Sequence, residues 1–169
     1  VLVVIIVFLF LDNIRSAFIV VSTLILATLA TFIVMSQVGL TANLMSLGGL
    51  AIAIGMIVDG SVVVVENVYR HLSSHTAATM SRRDLLMMAV KEVGQPVVFG
   101  ILIIILVFLP VLSLHGMEGK MFKPLAYTIM IALLISLLLS LTLSPALCSL
   151  MLKSGSEEDP WIVKQVKRL

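Results

Sequence analysis

Between Lys123 and Lys153 no side chain carries a charge. The run exceeds the ~20 apolar residues that cross ~30 Å of hydrocarbon. Lipid offers the backbone no hydrogen-bond partners, so a segment that crosses it must satisfy its N–H and C=O groups internally, as a helix. Four more apolar runs precede it, at about 1–11, 17–35, 44–65 and 93–114. Their order predicts an all-α, polytopic transmembrane helix bundle whose main partner is the lipid bilayer. β-Branched stretches such as Val62–Val65 do not argue for strands in this setting. Composition agrees: 60% of residues are hydrophobic and 12% charged, against about 45–50% and 25% in soluble domains.

The connections divide by charge. Of the 11 Lys and Arg residues, all but Lys120 and Lys123 fall on one set of loops. That bias places Arg15, Arg70, Arg82, Arg83, Lys91 and Lys153 in the cytoplasm. Residues 66–92 are then a cytoplasmic connection. Residues 153–169 are expected to be a cytoplasmic loop, continuing either as the start of an amphipathic surface helix with an interfacial Trp161 or as a frayed end. The first run begins at Val1 without the basic leader of a signal peptide, so it reads as the remainder of a span and the chain as a fragment. A net charge of +2, with no basic run interleaved with aromatics, gives no reason to expect nucleic acid as a partner.

Asp59 is the one acid deep inside a span, ~20 Å from that helix's outer end. A charge at mid-bilayer costs ~2.5–3.5 kcal/mol on insertion scales, and such residues generally face the bundle interior and have a task. Carboxyls in a low-dielectric interior favour the protonated form, which suits Asp59 to proton translocation. At 100° per residue, Gly48, Gly55, Asp59 and Glu66 lie within about 20° of a common line. The glycines predict helix packing along that line, and Glu66 is a candidate relay or a plain interfacial acid. A second stripe, Thr128, Ala132, Ser136, Ser140 and Ser144, recurs every four residues as small and hydroxylated residues do at tight helix contacts. Pro145 is expected to loosen that helix.

Other candidates are weaker. Ten methionines include thioethers able to bind Cu(I), but Met is also ordinary apolar filler, and the metal-ligand set stays unknown. His71 and His75 are read as part of a solvated loop. Cys148 reads as a buried, inert thiol. The sequence contains no phosphate-binding loop, nucleophile elbow or zinc-protease motif, and no cofactor or enzymatic activity is expected. An intramembrane aspartyl protease would need two acids sharing a site, and only Asp59 lies deep.

Gly39-Leu-Thr-Ala-Asn-Leu-Met-Ser-Leu-Gly-Gly49, Gly55-Met-Ile-Val-Asp-Gly-Ser61 and Val65-Glu-Asn-Val68 resemble the fourth transmembrane helix of the RND (resistance–nodulation–division) superfamily. Lys91-Glu-Val-Gly94 with Phe108-Leu-Pro110 resembles the fifth, and Leu141-Thr-Leu-Ser-Pro-Ala-Leu-Cys148 the end of the sixth. Gly116-Met-Glu-Gly-Lys-Met-Phe122 resembles the outer loop of the heavy-metal efflux branch. The resemblance covers helices two (partial) to six of a twelve-helix transporter. It implies a homotrimeric, proton-driven exporter in the bacterial inner membrane, joined to a periplasmic adaptor and an outer-membrane channel, with a metal cation as substrate. Asp59 falls on the family's proton-carrying acid. Drug-exporting members usually carry two adjacent acids there, and Asp59-Gly60 departs from that pattern toward the metal branch. Some divalent-metal members carry another acid six residues earlier, where this chain has Ala53. The alternative within the family is an exporter of drugs or other organic compounds.

Overall fold

The computed structural model describes residues 2–11, 13–73 and 81–152. The described residues form five α-helices and no strand: α1 (Leu2–Phe10), α2 (Ile14–Gln37), α3 (Leu44–Ser73), α4 (Arg82–Leu112) and α5 (Gly116–Met151). The last four are long and apolar enough to cross a membrane.

Local chemistry sets the ends. Asn13 caps α2 by accepting from the Arg15 N–H at 3.0 Å. After α2, Gly39 turns at φ +73°, and the Leu40 N–H returns to the Met35 carbonyl at 2.9 Å. Asn43 and Ser46 then form a reciprocal cap for α3. The Asn43 side chain accepts from the Ser46 N–H at 2.8 Å, and the Ser46 hydroxyl accepts from the Asn43 N–H at 2.9 Å. Two orphan donors of the first turn are satisfied at once.

The helices outrun the apolar stretches that predicted them. α3 continues past Val65 to Ser73, and α4 begins at Arg82 rather than near Val93. Most of 66–92 is therefore helix. Helices of 30 and 31 residues measure ~45 Å against ~30 Å of hydrocarbon, so both extend beyond the lipid at the end that carries Arg70, Arg82 and Arg83. α5 likewise starts at Gly116 and runs through Pro124, where an outer loop was expected. Its first turns lie ahead of the uncharged run, and the Pro124 carbonyl accepts the Thr128 hydroxyl at 2.8 Å. The reading of 153–169 lies outside the described residues, as does His75.

α5 packs against α2, α3 and α4. Its buried stripe is Thr128, Ala132, Ser136, Ser140, Ser144 and Cys148, one residue per turn. At the α3 contact a Cβ on Gly49 would lie 2.7 Å from the Leu125 carbonyl oxygen, so only glycine permits this approach. By contrast α4 buries only Leu85, Ala89 and Ile101. Of the four long helices it is the least buried.

Candidate functional site

Asp59 stands near the middle of α3, ~22 Å from Leu44 and ~21 Å from Ser73 along the axis. It is exposed and lines an open groove of about 380 Å³ with Ile6, Val7 and Leu11 beside α1 and Val58, Val62 and Val63 on α3. Every other residue of that lining is apolar. Glu66, two turns on, is also exposed. The stripe of Gly48, Gly55, Asp59 and Glu66 thus faces outward in this chain. A Cβ at Gly48 or Gly55 would meet nothing within 4 Å. The close approach of helices falls instead on Gly49, one residue from the expected line.

The opposite side of α3 is the packed one. Ile57 is fully buried, and its carbonyl accepts the Ser136 hydroxyl of α5 at 3.3 Å. Gly60 leaves room for its neighbours: a Cβ there would lie 4.0 Å from the Ser140 Oγ and 3.6 Å from Val97. Ser144 approaches Thr23 of α2 at 3.4 Å between hydroxyl oxygens. The serines of α5 therefore stitch α2 and α3 together, while Asp59 points to the other side. Ser61 is buried with its hydroxyl unpartnered among the described residues.

A polar cluster joins the charged ends of α3 and α4. Asn67, 7% exposed, donates to the Ala89 carbonyl at 2.9 Å and to the Glu92 carboxylate at 3.2 Å. His71 Nε2 lies 2.7 Å from the same Glu92 oxygen. Arg70 donates to Asn67 Oδ1 at 3.2 Å and lies 3.6 Å from the other Glu92 oxygen. The expectation that His71 belongs to a solvated loop is corrected: it is a helical residue with its side chain 20% exposed. The signal lay in the spacing, since Asn67, Arg70 and His71 at i, i+3 and i+4 share one helix face. A second tie lies nearby, where the Arg82 guanidinium donates to the Leu152 and Cys148 carbonyls at the end of α5. Cationic donors suit the negative end of a helix.

No three His, Cys, Asp or Glu side chains converge on a metal-sized site among the described residues. Among the described residues, Asp59 is the one carboxylate near the centre of a long helix, and that helix is braced from behind by the Ser136 hydroxyl.

Four helices long and apolar enough to cross a membrane define a multi-pass membrane protein. The chain belongs to the AcrB/AcrD/AcrF family of RND transporters, whose family model matches residues 1–169. It is similar to the cobalt-zinc-cadmium resistance protein CzcA of Cupriavidus metallidurans, 45% identical over 158 residues. That match takes in 90% of this chain and 15% of the relative. The cation efflux system protein CusA of Escherichia coli is 42% identical over 127 residues, 71% of this chain and 12% of that protein. The nickel and cobalt resistance protein CnrA of Cupriavidus metallidurans is 41% identical over 158 residues, 90% and 14%. The chain thus spans about 15% of the length of the curated relatives it matches. These matches and the four apolar helices make it part of a multi-pass protein of the bacterial inner membrane.

Proposed function

We propose that the protein to which this chain belongs is a proton-driven exporter of heavy-metal cations, and that Asp59 carries the proton. The observation that supports this most is the single acid at the centre of α3, set in a chain whose relatives are named for metal resistance and cation efflux. A carboxyl that loses a proton in an apolar groove becomes a charge in a low-dielectric place. Protonation removes that cost, so the helix carrying it has two states of different energy. Loading the proton from one side and releasing it to the other lets the proton gradient drive the change between those states. Glu66 lies on the same stripe two turns toward the basic end, which suits it to relay protons to the cytoplasm.

The orientation follows the basic residues, with Arg70, Arg82 and Arg83 inside. The substrate's ligands, the homotrimer contacts and the surfaces for a periplasmic adaptor and an outer-membrane channel belong to the rest of the protein. The reading is tested with the full-length parent in proteoliposomes under an imposed proton gradient, following Cu(I), Ag(I), Zn(II), Co(II) and Ni(II) separately. Gradient-dependent movement of at least one cation is expected. Movement of organic compounds with no cation transported would overturn the metal assignment and select the drug-exporting alternative.

A further inference from the structure

The first turns of α4 and the last turns of α5 enclose a groove of about 320 Å³ whose lining mixes two chemistries. Leu86, Val90, Leu141 and Pro145 supply an apolar floor, and Arg83 and Lys91 supply two cations. Both cations are exposed.

The depth of the groove follows from the helices around it. Arg82 reaches the Leu152 carbonyl, so the start of α4 is level with the end of α5. Lys91 stands just before the apolar run that begins at Val93. The groove therefore straddles the boundary where hydrocarbon gives way to headgroups. The nearby acids do not cancel its charge. Glu92 is engaged by His71, Asn67 and Arg70, which leaves Asp84 against Arg82, Arg83 and Lys91. Pro145 adds a further feature. Its ring nitrogen has no hydrogen, so the Leu141 carbonyl receives no helical bond from that position and can accept one from a hydroxyl.

A small anion would gain nothing from the apolar floor, and a neutral acyl chain nothing from the cations. An amphiphile with a negative headgroup uses both. We propose that this groove is a binding site for an anionic glycerophospholipid, with the phosphate held between Arg83 and Lys91 and an acyl chain laid along Leu141. Basic pockets between transmembrane helices on the cytoplasmic side hold such headgroups elsewhere. The inference rests on the membrane class of the protein alone, independently of which substrate it moves.

The experiment uses the purified full-length parent and native mass spectrometry, titrating phosphatidylglycerol against phosphatidylcholine of identical acyl chains. Each cation near an anionic headgroup contributes roughly fivefold, so a preference of ~30-fold for phosphatidylglycerol is expected. Arg83→Gln with Lys91→Gln should abolish it. The charge-preserving pair Arg83→Lys and Lys91→Arg should retain it, which separates lost charge from a misfolded variant. Equal preference in the neutralised and native proteins would overturn the proposal. So would displacement of the lipid by millimolar inorganic phosphate, which would make the site one for free anions. Lipid binding that emerges only after Glu157, Glu158 and Asp159 are neutralised would identify the chain's own acidic stretch as the occupant, and the proposal would fail.

Discussion

Replacing Gly49 by alanine should drive α3 and α5 apart. The added Cβ would sit 2.7 Å from the Leu125 carbonyl oxygen and 3.2 Å from the Leu125 Cα. Both are backbone atoms within a helix, so no rotamer change relieves the clash and one helix must shift against the other. Overpacking of this kind costs ~1–3 kcal/mol. Alanine returns about 1 kcal/mol of helix propensity relative to glycine. With a rigid neighbour the clash lies at the upper end of its range, leaving a net loss of about 2 kcal/mol, ~30-fold in the folding equilibrium. Gly100→Ala is the matched control. A Cβ there meets nothing within 4 Å, so only the propensity gain remains and stability should hold or rise. Both substitutions are made in the full-length parent and followed by denaturant unfolding in detergent. A Gly49→Ala protein as stable as the native one would refute the packing argument.

Other consequences are accessible to the same assay. Asn67→Leu removes one donor to the Ala89 carbonyl and one to Glu92, and the two lost bonds together should cost ~1–3 kcal/mol; stability equal to the native protein would show that the cluster does not hold α3 to α4. Ser136→Ala deletes one hydroxyl bond to the Ile57 carbonyl, and should cost only about 0.6 kcal/mol, the average for such bonds between membrane helices. A loss above ~2 kcal/mol would assign Ser136 a larger role than that single bond. Cys148 is fully buried, so a thiol reagent should label it only once the bundle unfolds; rapid labelling of the folded protein would contradict the packing at the end of α5.

Much of the bundle was legible because lipid leaves the chain few choices. An uncharged stretch such as 124–152 has to be helical, and its small-residue stripe at four-residue spacing marks the face that became buried. Helix ends were less legible. Hydrophobicity reports where lipid stops, whereas α3 and α4 continue as long as hydrogen bonds and polar cross-links such as Asn67–Ala89 support them. The choice between Gly48 and Gly49 was also hidden. Adjacent glycines point 100° apart on a helix, and only the position of α5 decides which must lack a side chain. Asp59 stood out by its depth, since an acid in an apolar span is costly wherever it faces. Its partners were not legible, because helical periodicity orders one helix and says nothing about which neighbour stands opposite.

The central claim is that Asp59 loads and releases the proton that drives transport. The direct measurement is proton uptake alongside metal flux in proteoliposomes of the full-length parent, for the native protein and for Asp59→Asn. Asparagine keeps the size and polarity of the side chain and removes its ionisation. The account predicts that metal-dependent proton movement and gradient-driven metal flux are both lost, in a protein that still folds and still binds its cation. Coupled flux that persists unchanged in Asp59→Asn would contradict it.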